Sequence, residues 1–75
     1  MSKDNSFRKG QAVAWHWGNG RGTGKVAERF ERDVTRTIEG SAITRKGSKD
    51  DPAYLVKQED GGRVLKLGSE LSAAG

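Results

Sequence analysis

Large apolar residues recur at every second position through most of the chain, and that period decides the fold class. In the stretch 11–17, Val13, Trp15 and Trp17 fall on one face and Ala12, Ala14 and His16 on the other. Helical spacing would scatter the three large residues around a cylinder, so this is expected to be a strand. Gly18 to Gly22 reads as a turn. Alternation then resumes from Thr23 to Phe30, with Val26, Glu28 and Phe30 on one side and Lys25, Ala27 and Arg29 on the other. Val34 to Lys46 is β-rich but too long for one flat strand. Val34 and Ile38 share parity and Ile43 does not, which predicts a bulge near Gly40 that returns Ile43 to the core side. After an exposed loop ending at Pro52, Ala53 to Gln58 predicts a fourth strand, Tyr54 and Val56 on one face and Leu55 on the other. Asp60-Gly61 between apolar segments signals a hairpin into a fifth strand, Arg63 to Leu67. Gly68 to Leu71 is expected to close with one helical turn, Leu71 plugging an open end. Five short strands and no long amphipathic helix predict an all-β fold, a small five-stranded antiparallel barrel.

Composition sharpens this picture. Seventy-five residues make one domain, expected to span 7–71, with residues 1–6 and 72–75 disordered. Hydrophobic residues are 32% of the chain and many are alanine. A chain this short buries only about 60% of its unfolded surface, so each large apolar side chain counts. Val13, Trp15, Val26, Ile38, Val56, Val64 and Leu71 are expected to form one core. The chain has no cysteine and one histidine, His16, which excludes disulfides, thiolate zinc sites and a cysteine nucleophile. No apolar run approaches the roughly 18 residues of a membrane span, so the expected setting is the cytoplasm, without membrane contact. A net charge of +4 and a basic pI near 9.8 point toward an anionic partner. Basic and acidic residues nevertheless alternate between Glu28 and Asp33, and no block of five like charges exists.

Candidate chemistry is sparse. Gly18 to Lys25 invites a phosphate-loop reading, but Asn19 and Val26 stand where that loop needs glycine and a hydroxyl residue. Gly22, Gly24 and Ala27 match the dinucleotide-binding spacing, yet the β-alternation that follows leaves no helix N-terminus for a pyrophosphate. Gly22 and Gly24 are read instead as permitting sharp strand bending. His16 has no nucleophile to pair with, so the chain is expected not to be an enzyme. Asp50 and Asp51 in a lysine-rich loop read as turn formers, since two carboxylates cannot satisfy a calcium ion. No cofactor or metal is expected. Trp15, in mid-strand, belongs in the core; Trp17, beside the glycine turn, could stack on a ligand, and Tyr54 could lie at the barrel rim.

Three stretches carry a family resemblance. Phe7 to Trp15, Trp17 to Val26 and Asp50 to Val56, followed by Val64-Leu65-Lys66 and Ser69-Glu70-Leu71, resemble the hypervirulence-associated Tudor-like domain family, in the same order and over nearly the whole chain. The main departure is Gln11-Ala12, where an acidic and a β-branched residue would be more usual. The resemblance implies a Tudor-like, SH3-like barrel. It implies no activity, and no set of aromatic-cage positions carries over from it.

The chain is therefore expected to be a small monomeric binding module. The preferred partner is nucleic acid, held with low specificity by Arg21, Lys25, Arg45, Lys46 and Lys49, with Trp17 as a stacking platform. The alternative is a protein-interaction module with an aromatic pocket of Trp17, Phe30 and Tyr54 for a cationic or extended peptide.

Overall fold

The computed structural model describes residues 6–74. The disorder expected of residues 1–5 and of Gly75 lies outside the described residues. The strands are β1 (Ala12–Trp17), β2 (Gly20–Phe30), β3 (Asp33–Ile38), β4 (Ser41–Lys46), β5 (Ala53–Gln58), β6 (Arg63–Leu67) and β7 (Ser72–Ala73). A single 3₁₀ turn, Gly68–Glu70, precedes β7. The main sheet has five antiparallel strands in the order β6-β5-β2-β1-β7, and β3 and β4 form a separate antiparallel pair. Among the described residues, no helix is long and apolar enough to cross a membrane.

The all-β antiparallel fold agrees with the sequence, and so does the closing helical turn that delivers a buried Leu71. Inside that fold three expectations are corrected. Val34 to Lys46 is not one strand bulged at Gly40 but a hairpin, with Ile38 opposite Ser41 and Arg36 opposite Ile43. Glu39 and Gly40 both have positive φ, 52° and 83°, the pair that a two-residue type I′ turn requires. The bulge lies instead at Ala27, where the β2–β5 register shifts: Val26 pairs with Val56, but Glu28 pairs with Leu55. The extra residue inverts the parity of β2, so Val26 faces one side of the sheet and Phe30 the other. Finally, Ser72–Ala73 is not disordered. It pairs with Ala14 and Val13, and the Ala74 N–H donates to the Ala12 carbonyl at 3.0 Å.

These changes divide the expected single core in two. On one face of the sheet lie Phe7, Val13, Trp15, Val26, Tyr54, Val56 and Leu71, with Val64 packed against them. On the other lie Phe30, Val34, Ala53, Leu55 and Leu65, which the β3–β4 hairpin covers with Ile38 and Ile43. Ile38 thus belongs to the second cluster, not the first. Strand β5 runs between the two, and Ala53, Tyr54, Leu55 and Val56 are buried in unbroken succession.

Trp15 reaches the first cluster because β2 offers it a floor of glycine. Trp15 pairs across the strands with Gly22, and a Cβ there would stand 2.5 Å from the indole Cε2. Gly24 packs as tightly against β5, where a Cβ would lie 2.8 Å from Val56 Cγ1. Neither glycine has a positive φ, and both are needed for close approach, a role the sequence reading of strand bending did not include.

Candidate functional site

The bulge at Ala27 decides which side chains β2 shows to solvent. Beyond it, Gly20, Gly22, Gly24 and Val26 turn toward Trp15 and Trp17, leaving Arg21, Thr23 and Lys25 exposed on the opposite face. That is the face the β3–β4 hairpin packs on, but the hairpin covers only its Phe30–Leu55–Leu65 part. The uncovered part is basic. Lys25 pairs directly with Lys57 of β5, and Lys57 directly with Arg63 of β6. Three exposed cations therefore form one row across three neighbouring strands. Strands lie about 4.8 Å apart, so the row spans about 10 Å.

Three acids of the fold are paired with other cations. Glu28 sits 3.9 Å from Arg36, Glu70 sits 3.4 Å from Arg45, and Glu31 pairs with Arg29. Among the described residues no carboxylate lies within ion-pairing distance of Lys25, Lys57 or Arg63. Glu59 shares a shallow cleft of about 220 Å³ with Lys25, Thr23 and Ala12, and Glu28, opposite Leu55, stands on the same face of the sheet. Arg21, opposite His16, continues the basic face toward the hairpin tip.

Of the six residues the sequence nominated for nucleic acid, only Arg21 and Lys25 share this surface. Arg45 turns toward the second cluster and Glu70. Lys46 lies on the other face of β4, opposite Asp33, and Lys49 sits in the loop before β5, at the far end of that strand from Lys57. Trp17 is 60% exposed at the tip of the β1–β2 hairpin, where Gly18 supplies a positive φ of 49°. Its ring lies over Gly20, where a Cβ would stand 3.0 Å away, so it is a supported platform on the face opposite Arg21. Lys57 and Arg63 were missed. Their signal was the Asp60-Gly61 turn: the Gln58 N–H donates to the Gly62 carbonyl at 2.8 Å, closing a three-residue loop with Gly61 at φ 95°, and the next pair outward is Lys57–Arg63.

The alternative aromatic pocket does not assemble. Tyr54 is fully buried in the first cluster, not at a rim, and Phe30 is buried in the second, across the sheet, with Trp17 apart from both. The Tyr54 hydroxyl accepts the Phe7 backbone N–H at 2.9 Å and Arg29 Nε at 3.4 Å. That hydrogen bond first, and the Glu31 carboxylate second, hold Arg29 above its usual value, so it is a fixed cation. Arg36 and Arg32 cover the Phe30 ring, with guanidinium carbons 4.8 and 5.3 Å from its centroid. Asp51 also serves the fold, since its two oxygens accept the Ser69 N–H and hydroxyl, each at 2.8 Å, tying the loop to the 3₁₀ turn.

Comparison with known proteins agrees with this architecture. The family model described as "Hypervirulence associated proteins TUDOR domain" matches residues 10–71, from just before β1 through Leu71. No curated protein and no solved structure matches the chain significantly.

Proposed function

The chain belongs to the hypervirulence-associated TUDOR domain family, and on that premise we propose that it is a non-enzymatic binding module that holds nucleic acid by its phosphates. The observation that carries this reading is the row Lys25–Lys57–Arg63. Like charges directly opposite one another destabilise a sheet, and each of the two pairs costs on the order of 0.2–1 kcal/mol. A small domain with a divided core gains nothing in stability from that arrangement, whereas a bound polyanion reverses its sign.

Three adjacent ammonium and guanidinium groups offer point charges and no base-edge pattern, so binding is weak and indifferent to sequence. Arg21 extends the contact along β2, while Trp17, on the opposite face of the hairpin tip, can stack only a base that passes around the tip. The non-catalytic part of the reading rests on the lack of a nucleophile–base pair in the sequence. The module acts as a cytoplasmic monomer: absent cysteine suits a reducing compartment, and Trp17 is the one large apolar side chain exposed among the described residues.

The experiment is backbone amide mapping by NMR during titration with a short duplex and a short single strand. Shifts centred on Arg21–Lys25, Lys57 and Arg63 are expected. Shifts centred on Lys46 and Lys49, or none at low salt, would refute the assignment.

A further inference from the structure

We infer a second site: the groove between β4 and β6 receives an extended peptide segment of alternating apolar and acidic residues, which adds to the free edge of β6. Strand β6 ends the main sheet and pairs only with β5, while β4 pairs only with β3. Between them lies a groove of about 370 Å³. Its apolar lining comes from Ile38 and Ile43 of the hairpin together with Leu65. Its rim carries Arg45, Arg63 and Lys66 against the single acid Glu39.

The hydrogen-bond phase of β6 says what its edge presents. Gln58 and Gly62 are a bonded pair, and alternation along an antiparallel ladder makes Val56–Val64 and Tyr54–Lys66 bonded pairs too. The backbone groups of Arg63, Leu65 and Leu67 therefore point away from β5. Leu67 bears this out, for its N–H donates to Glu70 Oε1 at 2.8 Å. Glu70 also lies 3.4 Å from Arg45 Nε. The chain's own carboxylate thus already satisfies one edge amide and one groove arginine together. That shows the occupant's chemistry one step further along the edge. An added strand would pair with Leu65 and Arg63, turn its apolar side chains to Ile38 and Ile43, and set its carboxylates against Arg63 and Lys66. Backbone pairing supplies affinity in such a mode, and alternate side chains supply selectivity.

The probe is a capped seven-residue peptide alternating valine and glutamate, compared with a valine–lysine counterpart and with an acidic version N-methylated on its pairing amides. Amide shifts at Ile43, Arg63 and Leu65 are expected with the acidic peptide, and at least tenfold weaker binding for both controls. Arg63→Pro removes the side chain, as Arg63→Ala does, and in addition an outward-facing N–H at the first position of an edge strand, so it should weaken binding more than Arg63→Ala. If Arg63→Pro fails to fold, the N-methylated probe on the unaltered protein decides. Lys25→Ala with Lys57→Ala should leave peptide affinity unchanged, which distinguishes this site from the nucleic-acid surface, with which it shares only Arg63. Equal binding of the acidic and basic peptides, indifference to N-methylation, no binding at millimolar peptide, or an oligonucleotide giving the same shifts at Ile43 and Leu65 would each overturn the proposal.

Discussion

Trp15 and Tyr54 carry the first cluster, and each depends on one neighbour. Trp15 depends on Gly22 having no side chain. Gly22→Ala forces a methyl into the indole and should cost about 1–3 kcal/mol. Gly20→Ala should cost far less, because the exposed Trp17 ring can swing away. Trp15→Ala removes the largest side chain of the cluster and should cost about 3–5 kcal/mol, enough to unfold a marginal domain. Denaturant titration of the three variants checks the ranking, and equal losses for Gly20→Ala and Gly22→Ala would contradict it. Tyr54→Phe leaves the Phe7 N–H buried without its acceptor and should cost about 1–3 kcal/mol, read as a lowered denaturation midpoint. Trp17 shares the parity of Trp15 and is exposed at the hairpin tip, so the burial of Trp15 was legible from parity and mid-strand position together. Its glycine floor was not, because Gly22 reads equally as a bend until the β1–β2 register is known. The burial of Tyr54 is not legible in the sequence, because the partner of its hydroxyl is neither solvent nor a neighbour but a main-chain N–H from 47 residues away.

At the scale of the strands, two local features set the faces. The β3–β4 turn places Glu39 in the left-handed region at φ 52°, a conformation costing a non-glycine residue roughly 1–2 kcal/mol. Glutamate gives no turn signal, which is why the hairpin was hidden in the sequence while the neighbouring Gly40 suggested a bulge. Glu39→Asn should relieve part of that strain and raise stability by about 0.5–1 kcal/mol; a loss would speak against the I′ geometry. The bulge at Ala27 was likewise invisible, since alanine marks neither bulge nor strand. The basic row follows from the β2–β5 and β5–β6 registers. Lys57→Glu converts two like-charge pairs into opposite-charge pairs, so it should raise the melting temperature while abolishing oligonucleotide binding. A variant both less stable and still binding would remove the argument that the row is kept for a ligand.

At the scale of the whole molecule, the sheet has a core on both faces, and the hairpin leaves one corner of the second face bare and basic. The period-two pattern was enough to place the chain among all-β folds, because a strand's faces are written in its own sequence. The candidate surface was only half legible, because the row is built from three strands and requires their mutual register. Net charge raised the expectation of an anionic partner, but only pairing shows that Lys25, Lys57 and Arg63 form one row, which Lys46 and Lys49 do not join and which Arg45 meets only across the β4–β6 groove, at Arg63. The most direct test is the salt dependence of oligonucleotide affinity. Three or four phosphate contacts, from the row with or without Arg21, predict a slope of log K against log salt between about −2.7 and −3.6 for duplex DNA, at about −0.9 per contact. Replacing Lys25, Lys57 and Arg63 together by alanine should bring the slope to about −1 or flatter, while replacing Lys46 and Lys49 should leave it unchanged. A triple variant that keeps the full slope, or an unaltered protein that binds neither duplex nor single strand at low salt, would contradict the account.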